Sequence, residues 1–257
     1  MKALAPPSFM SSVANEVRES RSLFIIIASF TVVTFATIPA LNGEWATRLA
    51  AEDGFYEYLT ALFFLAASLL YFRVFLRKRN VWFLMLALFL FAGFGEEISW
   101  GQRIIGFATP EYVDKINVQH EFNIHNLEPV NPIGFDGVWK SDWRRFITIN
   151  NLFRAVCFLY GIVFPLAFTY LHSFRTFMQK VKMPIPPFSL GIFFLVSFLF
   201  YRIVLLSTIS GIDFPWRDAG EEIFECCTSL VWLVISLFFL KMTAKPAARL
   251  DELLVKV

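Results

Sequence analysis

The chain has 257 residues, 57% of them hydrophobic and 17% charged, with a mean hydropathy of +0.58 and a formal net charge of +2. That balance is too apolar for an ordinary soluble domain and places the sequence among membrane proteins. With 32 Phe against 12 Gly and 12 Pro, collagen-like and disordered classes are excluded; with no basic stripe interleaved with aromatics, nucleic-acid binding has no support.

A spanning helix needs roughly 20 mostly apolar residues, because it must satisfy every backbone group internally across the hydrocarbon. Six stretches meet this: Leu23 to Leu41, Phe55 to Phe75, Val81 to Gly101, Asn151 to Leu171, Phe188 to Ser207 and Glu221 to Leu240. The sequence therefore predicts an all-α, polytopic membrane helix bundle of about six transmembrane helices, a single integral membrane domain over residues 1–257. The first stretch is longer than a signal h-region and follows Pro6, Pro7 and a polar segment, so it reads as an uncleaved span. Cys157, Cys226 and Cys227 all lie in apolar stretches and imply no disulfide framework.

About 14 of the 23 basic residues fall on one side of these spans, among them Arg18, Arg21, Arg73, Arg175, Lys180, Lys182 and the tight turn Arg77-Lys78-Arg79. The positive-inside rule puts that side, and both termini, in the cytoplasm. The acids are distributed the other way: only Glu16, Glu19, Asp251 and Glu252 are cytoplasmic. The one long extracytoplasmic loop, 102–149, exceeds the usual loop length and must be functional or carry structure of its own. In it Thr109-Pro110-Glu111 reads as a helix start, and Phe135, Trp139 and Trp143 as a piece lying in the outer interface.

Four acidic segments gather near the outer ends of the spans. The first is Gly95-Glu96-Glu97-Ile98-Ser99-Trp100-Gly101-Gln102-Arg103. A carboxylate near a helix C-terminus opposes the macrodipole, so capping does not account for it. The bland reading is a helix running past Gly101 into water, with Arg103 as a surface partner. The second is Asp218 to Glu225, where Asp218 and Glu221 resemble a capping box. Glu222 and Glu225 share a helix face, which a cap does not require and which repulsion opposes unless a cation, a proton or an Arg lies between them. The third is Glu52-Asp53-Gly-Phe-Tyr-Glu57, of which only Glu57 lies inside the apolar run. The fourth is Asn117 to Asn126: on a helix, Glu121 and His125 would project from one face at a spacing suited to one metal, or to an acid orienting an imidazole. Arg154 and Arg202, near the outer ends of their spans, each need a counter-charge. Pairing with these acids would make the whole cluster a structural ion-pair network.

Together, Glu52-Asp53-Gly54 to Glu57-Tyr58, the run GEEISWGQR from Gly95 to Arg103, and Asn117 to Asn126 resemble a family of uncharacterised bacterial multi-pass inner-membrane proteins. The resemblance covers roughly residues 50 to 130 and implies a bacterial inner-membrane location without an activity. A weaker similarity is to intramembrane glutamate proteases of the CAAX- and bacteriocin-processing type, in which a Glu-Glu motif on one span works with histidines on others. Glu96-Glu97 matches the acid pair, but the family's arginine position is taken by Gly101, and spans five and six contain no His. These departures speak against a prenyl-protein protease.

The residues thus point to an outward-facing polar pocket. One reading is a membrane hydrolase, with Glu96, Glu97 and His125 catalytic and Glu97 as general base. Glu57, Glu97, Glu121, His125, Glu222 and Glu225 are candidate ligands of a divalent metal ion such as iron, manganese or zinc, although the Glu-x-x-His pairs of di-iron bundles are missing. The other reading is a non-catalytic scaffold, or a carrier of ions or small molecules, in which the Glu and Arg network packs the helices or relays protons. Membrane lipids are the partners implied in either case.

Overall fold

The computed structural model describes residues 9–40, 43–49, 54–138, 140–209 and 215–244. Expectations for Glu52, Asp53, Trp139, Asp213 and both chain ends, and for the side chain of Asp218, lie outside the described residues. Among the described residues the protein is mainly helical and no strand forms; an antiparallel bridge joins Asn117 to Leu127.

In chain order, α1 (Phe9–Glu19) turns by 92° into α2 (Arg21–Ala40), and a short α3 (Gly43–Leu49) follows. Next come α4 (Phe55–Lys78) and α5 (Val81–Glu97), joined by a tight connection in which Arg79 is left-handed and the Asn80 side chain caps α5 by accepting from the Trp82 N–H. Two single-turn helices, α6 (Gln102–Ile105) and α7 (Glu111–Asp114), lie in the long loop. Thr109 does not cap α7; Pro110 occupies that position, and the Thr109 hydroxyl receives Gln102 Nε2 and donates to the His120 carbonyl.

Then α8 (Ile149–Phe158) continues through a π-helical turn at Leu159–Val163 into α9 (Phe164–Tyr170), and α10 (His172–Lys180), α11 (Phe188–Ile209) and α12 (Pro215–Ala244) complete the chain. The π turn sits just before Pro165, whose missing N–H cannot continue a regular ladder. It also carries Gly161 against Gly191 of α11, so closely that a methyl on Gly191 would come within 1.9 Å of the Gly161 carbonyl oxygen.

Among the described residues three helices, Phe55–Lys78, Ile149–Tyr170 and Gly220–Thr243, are each long and apolar enough to cross a membrane, and the count rises to five if each bent pair, α1 with α2 and α5 with its continuation, is one span. A shorter apolar helix covers Phe188–Ile203, within the fifth expected stretch. Many large apolar side chains lie on the exterior: Ile25, Val33, Leu62, Leu69, Leu88 and Leu199 all stand exposed. Such a surface suits surroundings of hydrocarbon rather than water.

Helix α12 is the axis of the bundle. Its spanning window is 67% buried, against 39% for α4 and 28% for Ile149–Tyr170, and it packs on α4, α11 and α2. Trp232 at its centre is fully buried, stacks on Tyr160 at 5.2 Å, meets Phe89 and Phe194, and donates Nε1 to Cys157 Sγ at 3.3 Å. The indole N–H therefore finds an acceptor inside an otherwise apolar core. Because α12 begins at Pro215, Asp218 and Glu221 lie inside the helix, so they do not form the expected capping box; a proline in the first turn serves as the start.

Candidate functional site

The site is assembled from the N-terminal parts of α4, α8 and α12, the C-terminal end of α5 and a segment of the long loop. Helix α5 does not run on past Gly101. It stops at Ile98, and Ser99, Trp100 and Gly101 follow with φ of 46°, 52° and 86°. Three consecutive left-handed residues bend the chain by 67°. Only glycine adopts this region freely, and each of the other two costs on the order of 1–3 kcal/mol unless the surroundings hold it.

Both are held. Ser99 is fully buried and donates its hydroxyl to Glu121 Oε2 at 2.9 Å. Trp100 folds back over Gly95, where a methyl would meet the indole at 2.9 Å, and donates Nε1 to Glu96 Oε1 at 2.7 Å. The turn also brings Arg103 back to the bundle: Nη1 binds Glu57 Oε1 and Nη2 binds Glu121 Oε1, each at 2.6 Å. These three side chains are only 12–18% exposed, so the guanidinium is an internal brace between α4 and the loop and not a surface partner.

The segment from Asn117 to Asn126 is not helical, which corrects the expectation that Glu121 and His125 share a face. Asparagines shape it through local bonds to the backbone. Buried Asn117 accepts the N–H groups of Gln119 and Glu121 at its Oδ1 and donates to Asn123 Oδ1 at 3.0 Å, while His120 is left-handed at φ 61°. Glu121 consequently turns to Arg103, Ser99 and Asn123. His125 turns to Glu96, whose Oε2 accepts the N–H groups of Ile124 (2.7 Å) and His125 (2.9 Å) and lies 3.1 Å from His125 Nδ1. Those bonds hold a carboxylate at the wrong end of a helix dipole. His120 is exposed and pairs with Asp114.

A cavity of about 850 Å³ lies between these elements. Glu57, Glu96, Glu97, Glu221, Glu222 and Glu225 line it, together with His125. Glu121 does not line it. Among the described residues no group of three His, Cys, Asp or Glu side chains is gathered to hold a metal ion, so the six expected ligands are not disposed as one coordination shell.

The charges divide into two sets. Glu57 and Glu121 are tied to Arg103, and Glu221 is tied to Arg154 Nη2 at 2.5 Å, with that guanidinium lying over the rings of Tyr201 and Phe224. Arg202 is exposed and makes no ion pair with a described acid. Glu97 and Glu225 have no hydrogen bond or ion pair from their side chains among the described residues, and both line the cavity with Glu57, Glu96 and Glu222.

Below the carboxylates the wall is apolar, with Phe153 touching both Phe64 and Phe89 and with Leu152 and Val156 also lining it. Sequence reasoning did not assign this wall, because phenylalanine is so abundant that no single position stands out. It also passed over Ser99, Trp100 and Asn123, although the Gly at 101 and the Asn-rich spacing from 117 to 131 were available signs of a turn and of a side-chain-built loop. No family model, no curated protein and no solved structure matches the chain.

Proposed function

We propose that the protein is a multi-pass protein of a bacterial inner membrane, with cytoplasmic termini and an outward-facing cavity, and that it acts as a glutamate-based hydrolase on a membrane-associated substrate. The observation that carries this reading is the cavity itself, in which Glu97, lacking a polar partner among the described residues, stands beside the Glu96–His125 pair. A cavity of this size takes a small molecule or a lipid head, and a few convergent polar groups on an apolar wall are what such sites use.

Glu97 is the general base that takes a proton from water as it attacks the substrate carbonyl. The protonated Glu97 then gives that same proton to the leaving group, while His125, its Nδ1–H turned to Glu96, presents Nε2 as an acceptor that orients the attacking water. The resemblance of the Glu52–Tyr58, Gly95–Arg103 and Asn117–Asn126 segments to bacterial inner-membrane proteins agrees with this location. The experiment is product analysis by mass spectrometry after incubating purified protein with a bacterial lipid extract. Wild type should generate a new hydrolysis product, and Glu97→Gln should slow its appearance by about 100-fold or more at unchanged melting temperature. A Glu97→Gln variant with the wild-type rate would overturn the assignment.

A scaffold role accounts for part of the cluster, on a specific observation: Arg103 bridges two chain segments, and Arg154 joins α8 to α12 through Glu221. These pairs hold the bundle around the cavity and leave Glu97 and Glu225 without an equivalent role.

A further inference from the structure

The outer half of α8 stands apart from α4, α5 and α12. Helix α8 packs on α11 and runs into the π turn, and toward α5 and α4 Phe153 reaches across to touch Phe89 and Phe64. The cavity fills this separation. Its side between α5 and α8 is therefore closed by rings and aliphatic side chains rather than by packed helices, and Leu152 there is exposed and apolar. An alkyl chain can pass there at the cost of rotating side chains, without parting a helix pair.

The head end of the cavity is strongly one-signed. Six carboxylates line it, and Arg103 is the only Lys or Arg among the described lining residues. That arginine is spent on Glu57 and Glu121, and Arg154 bonds to Glu221 and acts on Glu225 only through space. Glu96 is satisfied by peptide N–H groups, an indole and His125. Glu97 and Glu225 face the same space with no basic side chain bonded to either among the described residues. Like charges held this close in a partly apolar site favour an entering cation and oppose an anion.

We infer that the cavity takes a cationic amphiphile, a membrane molecule whose amine or quaternary ammonium head lies among Glu97, Glu222 and Glu225 and whose alkyl chain leaves between α5 and α8. This rests on the hydrolase reading of the same cavity and adds the charge of the substrate and its route of entry. Carboxylates ring the head, the Phe89–Phe153 contact lies along the chain, and the loop from Gln119 to Asn126 lines the cavity on the side of the head.

The test is photolabelling of the full-length protein in nanodiscs of neutral lipid, with three probes of the same chain length and the same mid-chain diazirine: a primary amine, an alcohol and a carboxylate. Labelled residues are mapped by mass spectrometry. The amine should label Phe89, Leu152, Phe153 and Val156 at least about tenfold more than the alcohol, and the carboxylate least, since a single charge at this range is worth more than that factor. In Glu97→Gln/Glu225→Gln the ratio of amine to alcohol should fall toward one; gel filtration and melting temperature show that the variant is folded. Equal cavity labelling by all three probes would overturn the cationic head and leave a membrane-substrate site standing. Absence of cavity labelling by every probe would remove both.

Discussion

Glu96 and His125, 29 residues apart in sequence, meet twice: Glu96 Oε2 accepts the His125 peptide N–H at 2.9 Å and lies 3.1 Å from the same residue's Nδ1. The carboxylate at the end of α5 thus fixes both the position of the loop backbone and the orientation of the imidazole. A single side chain couples α5 to the loop segment that lines the cavity.

Replacing Glu96 by Ala should therefore free the loop without unravelling the bundle. Two peptide N–H groups and the Trp100 indole lose a charged acceptor, each such bond being worth about 1.5–3 kcal/mol. Hydrogen exchange at the amides of Ile124 and His125 should accelerate by about tenfold or more. The amides of Val231 and Trp232 at the bundle axis should keep their protection, and equal acceleration at both places would show that Glu96 supports the fold as a whole.

The brace at Arg103 needs two separate nitrogens in a fixed plane, one for Glu57 and one for Glu121. Lysine supplies a single point charge and cannot reproduce both bonds. Arg103→Lys should cost about 3 kcal/mol in reversible unfolding, because it leaves a mostly buried carboxylate uncompensated. Adding Glu57→Gln should recover part of that loss in a double-mutant cycle, and Arg103→Lys with wild-type stability would refute the brace.

The crossing of α8–α9 with α11 depends on an absent side chain. A methyl on Gly191 would sit 1.9 Å from the Gly161 carbonyl oxygen, so the two helices must separate to admit it. Gly191→Ala should destabilise by more than about 3 kcal/mol, read as loss of the monodisperse gel-filtration peak. Gly95→Ala is the milder case, since the obstacle is the movable Trp100 ring. It should shift the tryptophan emission while leaving the protein monodisperse.

A pH dependence follows from Asp142 in the long loop. Its side chain accepts the Arg144 N–H at 3.0 Å and pairs with Arg144 Nε at 2.8 Å, and this bonding to Arg144 holds the carboxyl below its ordinary value of 3.8. A depressed folded-state value means that the contribution is complete above the ordinary value and is lost as pH falls through the lower one. The short turn Trp143–Phe146 should open only in that acidic window. Exchange at the Arg144 amide would show it, and Asp142→Asn should make that exchange insensitive to acid.

The sequence by itself determined the class of this protein. Apolar runs of spanning length leave the backbone no choice but helix, because no water is present to satisfy it otherwise. The grouping of Glu57, Glu96, Glu97, Glu222 and Glu225 along one cavity was also legible, since they fall near corresponding ends of their apolar runs, Glu225 about one turn further in. Expectations that rested on continuing a helix into the loop went wrong. Helical spacing joined Glu121 to His125, but local asparagine bonds overrule that periodicity and send the two side chains to different partners.

Only the tertiary structure decided which acids are spent and which are not. Arg103 reaches Glu57 because a left-handed turn at residues 99–101 reverses the chain, and a lone Gly after a span does not reveal the two strained neighbours that precede it. The pairing of Arg154 with Glu221, the stand-off of α8 and the aromatic wall likewise depend on how distant helices pack. Packing of this kind is set by side-chain shape across elements far apart in sequence, and periodicity within one element carries no record of it.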